Sequence, residues 1–204
     1  MTGMETVMQT GMTTGILLYD DTEELDWAGP WEVFTMASRD VDSVVTIAER
    51  PGPIHCRKGL RVLPDHTFED APALDVLVVP GGQGSRQEVS NPVLLDWIAE
   101  VAPGCAWVTS VCTGSFLLHA AGPARGKRVT THWASIERFR AEGDVTVLEH
   151  VRYVRDGNLV TAAGVSAGID MALWVVGQAY GVEHARFTQR AIEYDPAPPY
   201  QADV

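Results

Sequence analysis

Short, uniformly apolar runs recur along this chain, and each is followed by a turn and a helix-like pattern. The clearest runs are residues 16–19, 44–48, 75–79 and 106–111. A strand that is apolar on both sides has to be covered on both sides, and strands of this kind that alternate with helices are typical of a parallel sheet between two helical layers. The pattern predicts an α/β fold whose ligands bind beyond the carboxyl ends of the strands.

The remaining elements fit one domain. Asn91 followed by Pro92 marks the start of a helix, and Pro30 suits the first turn of another. We therefore predict helices over residues 30–38, 134–140, 166–180 and 182–192, and strands over 145–155 and 159–162 joined by a turn. Residues 1–12 are predicted to be a flexible leader, residues 13–204 a single domain, and the prolines after residue 195 an extended tail.

Composition excludes several classes of function. The chain has 204 residues and a net charge of −12, which disfavours binding to a nucleic-acid backbone. No apolar segment approaches the roughly 18 residues that a membrane helix needs. Three cysteines and the lack of a secretory signal pattern indicate a reducing cytoplasm.

Cys112 ends one of the apolar runs and is followed at once by Thr113 and Gly114. A sharp turn from strand to helix presents a nucleophile and needs small neighbours, as Gly114 provides. The helix N-terminus that follows should lower the pKa of the thiol. A lone cysteine is more often a small buried residue, but the position of Cys112 favours a presented nucleophile.

Two further segments can reach the same edge of the sheet. Gly81 and Gly82 end another strand, and their amides could bind an anion beside Cys112, although Pro-Gly-Gly is also an ordinary turn. Asp26 lies among apolar residues, which would raise the pKa of its carboxyl and suit it to general acid or base catalysis. It could equally hydrogen-bond amides at the start of the next helix.

The histidines give no simple partner for the cysteine. His119 follows Cys112 by seven residues, about 10 Å along a helix, which is too far for a direct base. His132 could approach the turn, but isolated histidines are usually structural. The other histidines lack metal-ligand spacing, so we predict no metal site, and no cofactor is indicated.

Five stretches together resemble the DJ-1/PfpI superfamily: VTSVCTGSFLLHAAG, GKRVTTHW, VVPGGQG, LDWAGPWEVF and GVSAGIDMALWVV. They are most similar to its isonitrile hydratases and to the amidase-like domain of some AraC-type regulators. The resemblance implies a flavodoxin-like three-layer sandwich that forms a homodimer, with Cys112 as nucleophile, Asp26 as a functional carboxyl and Thr113 directly after the cysteine. It also matches His132 to a histidine near the cysteine, and it places Gly164 and Val165 near the pocket, where a more glycine-rich stretch is expected.

The resemblance implies hydration of an isonitrile to an N-substituted formamide. The thiolate of Cys112 would attack the terminal carbon, Asp26 would supply a proton and help activate water, and amides near Gly82 and Thr113 would stabilise developing charge. Branches of the superfamily with glyoxalase or protease activity often carry a histidine directly after the cysteine, where this chain has Thr113. A ligand-sensing regulatory domain and another cysteine-dependent activity, such as a glyoxalase, remain alternatives.

Overall fold

A computed structural model describes residues 11–196. Most of the predicted leader and the end of the predicted tail lie outside the described residues. The strands are β1 (Thr13–Leu18), β2 (Ser43–Ala48), β3 (Ile54–His55), β4 (Arg61–Val62), β5 (His66–Thr67), β6 (Val76–Val79), β7 (Trp107–Val111), β8 (Arg128–Val129), β9 (Thr146–Val147), β10 (Tyr153–Asp156) and β11 (Leu159–Ala162). The helices are α1 (Glu24–Ala37), α2 (Ser85–Glu88), α3 (Pro92–Val101), α4 (Gly114–Ala121), α5 (Ile136–Arg140), α6 (Ala167–Tyr180) and α7 (Val182–Ala191).

Seven strands form the central sheet in the order β10-β11-β7-β6-β1-β2-β5. Neighbouring strands are parallel except for β10 and β11, which form an antiparallel hairpin. The fold is α/β, as the sequence pattern predicts, and flavodoxin-like, as the family resemblance implies. The strand order places the carboxyl ends of β1, β6, β7 and β11 side by side at one edge.

Helices cover both faces of the sheet. Ile16 and Leu18 of β1 pack with residues of α1 and α6, whereas Leu17 packs with residues of α3 and α4 on the opposite face. All three side chains are at most 1% exposed, and burial of an aliphatic side chain of this size contributes about 1.5–3 kcal/mol to folding. This arrangement is why the strands are apolar at consecutive positions. No helix within residues 11–196 has the length and apolar character needed to cross a membrane.

The first helix begins earlier than the sequence predicts. It starts at Glu24, so Pro30 lies inside α1 rather than in its first turn. Acidic side chains at Glu24 and Asp26 favour a helix N-terminus there because negative charge interacts favourably with the positive end of the helix dipole. Pro30 is tolerated because its ring packs against Gly168 of α6, where a side chain would meet the ring at 3.2 Å. The earlier start brings Asp26 into the helix.

The prediction of one continuous strand over residues 145–155 is also wrong, because the middle of this segment is not a strand. Thr146–Val147 pairs with β8, Tyr153–Asp156 pairs with β11, and the chain turns between them at His150, whose φ is 60°. Two short strands in different sheets therefore replace one long strand. The predicted strand over 159–162, the hairpin turn and the helix that starts at Pro92 are confirmed.

Asn91 caps α3, and its replacement offers a test of this fold. Its side-chain oxygen accepts hydrogen bonds from the amides of Val93 (3.1 Å) and Leu94 (3.5 Å). We expect Asn91→Ala to lower the free energy of unfolding by about 1 kcal/mol, measured by urea denaturation. The exposed Glu100 of the same helix is the control, and Glu100→Ala should change stability by less than about 0.5 kcal/mol. Equal effects of the two substitutions would contradict the capping role.

Candidate active site

Cys112 occupies the sharp turn between β7 and α4 that the sequence predicts. Its φ is 57°, a left-handed backbone conformation that costs a residue with a side chain roughly 1–3 kcal/mol. The turn is fixed on both sides. The Cys112 amide donates to Ala162 O (3.1 Å), and its carbonyl accepts from the hydroxyls of Thr131 (2.9 Å) and Ser115 (3.1 Å). The surrounding structure therefore holds this strained residue in place.

Glycines allow the loop after β6 to lie directly against the turn. A Cβ atom on Gly114 would lie 2.1 Å from the backbone oxygen of Val79. One on Gly81 would lie 2.5 Å from the Thr113 nitrogen and 2.9 Å from the Cβ of Cys112. All three distances are shorter than a real Cβ atom approaches its neighbours, so only glycine at these two positions permits the contact. The two loops that the sequence brings to one edge of the sheet are thus in contact.

Asp26 reaches the same place from the first turn of α1. Its side chain is fully buried and accepts hydrogen bonds from the amides of Gly81 (3.0 Å to Oδ2) and Val165 (3.1 Å to Oδ1). These amides lie 55 and 139 residues away along the chain. The carboxyl and the thiol of Cys112 lie close enough for each to shift the pKa of the other. Asp26 therefore does not cap a neighbouring helix, and it joins three distant segments around the thiol.

Burial determines the protonation of this pair. Loss of hydration raises the pKa of Asp26 to about 7, against the opposing effect of the Gly81 amide. Burial also raises the pKa of Cys112 to about 12, and the nearby charge of Asp26 adds to that increase. The Thr113 amide at the start of α4 does act to lower the thiol pKa, but burial and the charge of Asp26 outweigh it, so the expectation of a low thiol pKa is wrong. Between these two values the pair holds one proton.

Thr113 ties the two loops together. Its hydroxyl accepts from the Gly82 amide (3.1 Å) and from the Ser85 hydroxyl (2.8 Å), and it lies 3.2 Å from Gly82 O, to which it can donate. The amides of Gly81 and Gly82, predicted to bind an anion, thus donate to Asp26 and Thr113 in this structure. Whether either amide stabilises charge in a reaction stays a prediction.

The sequence did not single out two residues that support this loop. Ser85 is the hydroxyl partner of Thr113, and Tyr19 donates its phenol proton to Pro80 O at 2.6 Å. Burial, with the charge of Asp26 second, keeps the pKa of Tyr19 well above its ordinary value, so the phenol stays neutral. Tyr19 follows β1, at the edge where the other loops meet, and that position was the available signal.

The segment before α6 closes the site on its other side. Val165 has a φ of 45°, which is unusual for a β-branched residue. Gly164 lies against the ring of His132, since a Cβ there would come within 2.8 Å of His132 Cδ2. His132 Nδ1 accepts from the amide of Ala134 at 3.3 Å. The structure thus places His132 beside Gly164, and a catalytic role for it stays a prediction.

All three cysteines, Cys56, Cys105 and Cys112, are buried free thiols. Within residues 11–196, the His, Cys, Asp and Glu side chains form no group of three or more that could hold a metal ion.

Comparison with known proteins identifies the family of this chain. The DJ-1/PfpI family matches residues 13–178. This chain belongs to the DJ-1/PfpI family. The isonitrile hydratase of Pseudomonas putida is 42% identical over 188 residues, which are 92% of this chain and 81% of that protein. The crystal structure of a ThiJ/PfpI family protein from Pseudomonas syringae superposes with a TM-score of 0.87 and 31% identity, covering 100% of this chain and 86% of that one.

A transcription regulator is also similar to this DJ-1/PfpI protein. The HTH-type regulator CdhR of Pseudomonas aeruginosa is 30% identical over 134 residues. The match covers 66% of this chain but 40% of the regulator. The resemblance to the superfamily, and to both of these groups within it, is therefore confirmed.

Gly114→Ala tests the close contact of the two loops. Because the neighbouring atoms belong to the backbone, we expect a loss of several kcal/mol in the free energy of unfolding. Gly104 has no atom within 4 Å of its Cβ position, so Gly104→Ala should be tolerated. Thermal unfolding of the two variants measures the difference, and equal midpoints would rule out the contact.

The pKa of Asp26 predicts how stability depends on pH. A solvated aspartate loses its proton near pH 4, whereas folded Asp26 keeps it up to about pH 7. The folded state thus binds more protons between these values, and the free energy of unfolding should fall as pH rises, by at most about 4 kcal/mol. Asp26→Asn should remove this fall, although it also has a constant cost because its amide faces an N–H donor. Urea denaturation at several pH values measures the slope, and the same slope in both proteins would contradict the raised pKa.

Proposed function

We propose that this protein hydrates an isonitrile, R–N≡C, to an N-substituted formamide. The observation that carries the proposal is that Gly81 contacts both groups: its amide donates to the buried carboxyl of Asp26, and its Cβ position lies 2.9 Å from the Cβ of Cys112. A carboxyl with a pKa of about 7 next to a thiol can accept its proton and pass it on at neutral pH. The similarity to an isonitrile hydratase over 92% of the chain supports the substrate class.

The first step adds the thiol across the terminal carbon. Asp26 takes the proton from Cys112, the sulfur bonds to the isonitrile carbon, and Asp26 delivers the same proton to that carbon. The product is a thioimidate, Cys–S–CH=N–R, with all atoms of both reactants retained. Because one proton moves within a pair that keeps a single negative charge, no charge has to be created in a dehydrated site.

The second step uses one water molecule. As the oxygen of the water attacks the thioimidate carbon, Asp26 accepts one proton from the water and passes it to the nitrogen. The tetrahedral adduct, Cys–S–CH(OH)–NH–R, then expels sulfur, the proton of its hydroxyl passes through Asp26 to the sulfur, and R–NH–CHO leaves. In this proposal Thr113 holds the loop of Gly81 and Gly82 beside the sulfur of Cys112. Backbone amides of this loop and of the turn at Cys112 stabilise the developing charge.

A ligand-sensing role is the second candidate, and the similarity to an HTH-type regulator favours it. A sensor could use the same enclosed site to bind a small molecule without turnover. The net charge of −12 makes direct contact with DNA by this domain unfavourable. Saturable binding of an isonitrile with no formamide formed would support this second candidate over the enzyme.

Turnover of cyclohexyl isonitrile tests the proposal. The infrared isonitrile stretch should disappear as the N-substituted formamide forms in equal amount, and Cys112→Ala should lower kcat by at least about a thousandfold. Cys105→Ala is the matched control, because Cys105 is also a buried free thiol but donates to Val101 O at the opposite end of β7. Undiminished turnover by Cys112→Ala, or no turnover of several isonitriles by the unaltered protein, would exclude the mechanism.

A further inference from the structure

The Val165 amide holds Asp26 although the backbone at Val165 is strained. A φ of 45° is disfavoured for a β-branched residue, and in this conformation the Val165 amide donates to Asp26 Oδ1 at 3.1 Å. Strain of this kind persists only where neighbouring contacts fix the chain. The contacts that fix Val165 therefore act on the carboxyl of Asp26.

Arg152 contacts the chain on both sides of Val165. Its backbone carbonyl accepts a hydrogen bond from the Ala163 amide at 2.9 Å. Its Nη2 donates to the hydroxyl of Ser166 at 3.1 Å. Arg152 thus contacts Ala163, two residues before Val165, and Ser166, one residue after it.

The guanidinium of Arg152 is itself held in place. Its Nε donates to Asp170 Oδ2 at 2.9 Å, and its Nη2 donates to the same oxygen. Tyr194 donates its phenol proton to this oxygen at 3.2 Å. Asp170 lies in the first turn of α6, so these contacts link the start of that helix to the segment before β10. An ion pair this exposed adds little to stability, but its fixed geometry can still orient the chain between its anchors.

We propose that Arg152 is a positioning residue for Asp26, which it serves by holding Val165 in the conformation that donates to the carboxyl. Arg152 does not touch the carboxyl or the thiol. It acts through the main chain of residues 163–166. In the reaction it would keep the proton-carrying oxygen of Asp26 in place, and to that extent the inference rests on the proposed function. The holding of Val165 does not depend on which substrate is used.

The titratable groups that act on Asp26 include several that Arg152 does not contact. Glu23 lies one turn before it, Lys58 approaches from the turn between β3 and β4, and Tyr19 and Cys112 lie at the ends of β1 and β7. Replacement of Arg152 leaves all four side chains in place. A change at Asp26 in such a variant therefore reports on the Val165 segment.

The test is the rate at which iodoacetamide alkylates Cys112, measured from about pH 5 to pH 9 in a background with Cys56→Ala and Cys105→Ala. Cys112 stays mainly a thiol over this range, so the midpoint of the profile reports the pH at which ionised Asp26 becomes available to accept the thiol proton. Arg152→Met should weaken the donation from Val165 and raise the midpoint of the profile by about one pH unit, as expected for loss of one hydrogen bond to a carboxylate. The matched control is Arg155→Met in β10, three residues further along the chain, which removes the same charge from a side chain that lies over Trp107 and Trp174. Its profile should stay that of the parent protein.

A third variant separates position from charge. Arg152→Lys keeps the positive charge but cannot contact Ser166 and Asp170 together in the same way, so its midpoint should lie close to that of Arg152→Met. If lysine restores the parent profile, or if Arg152→Met and Arg155→Met behave alike, the proposal is wrong. Should Arg152→Met fail to fold, Ser166→Ala removes one contact and should shift the midpoint in the same direction by less, and an unchanged midpoint would overturn the proposal.

Alkylation requires no isonitrile. A shifted midpoint in a protein that turns over no isonitrile would support the role of Arg152 and reject the proposed function. If Arg152→Met leaves the midpoint unchanged and the parent protein does hydrate isonitriles, the role of Arg152 is rejected and the proposed function is supported.

Discussion

A carboxyl group removed from water beside a thiol is the constraint on which the rest of this site depends. An ionised carboxylate in the protein interior requires hydrogen-bond donors or a cation, and Asp26 receives two backbone amides and forms no direct ion pair with any residue from 11 to 196. Two donors are enough to keep the group ionisable near neutral pH, but they do not compensate fully for lost hydration, and its pKa remains at about 7. The same burial keeps the neighbouring thiol protonated.

The unusual backbone features of the fold serve this arrangement. Cys112 and Val165 both have positive φ values, and each is held by hydrogen bonds from other segments. Gly81 and Gly114 let the loops after β6 and β7 touch, so that one amide can reach the carboxyl. The parallel sheet makes this possible because four of its strands end side by side at one edge, and the helices that follow them start from that edge.

The sequence predicted those parts of the site that depend on local pattern. The apolar run before Cys112, the glycine after it and the apolar neighbours of Asp26 are enough to place both residues at one edge of a parallel sheet. The two amides that bind Asp26 belong to segments 55 and 139 residues away, and no local pattern shows which loop will meet which side chain. The start of α1 was misplaced because Pro30 is accommodated by a glycine on another helix, a tertiary contact. The direction of the thiol pKa was wrong for a similar reason, since the helix dipole is visible in the sequence but the depth of burial is not.

The proposed chemistry requires that Asp26 is protonated at mildly acidic pH inside the folded protein. Infrared difference spectra of the unaltered protein against Asp26→Asn, recorded from about pH 5 to pH 9, report this directly through the carbonyl stretch of a protonated carboxylic acid. We expect the band to be present at about pH 5 and to disappear with a midpoint near pH 7, while ultraviolet absorbance shows Cys112 mainly as the thiol over the whole range. A site in which Asp26 is already ionised at about pH 5, with Cys112 a thiolate at neutral pH, would contradict the account.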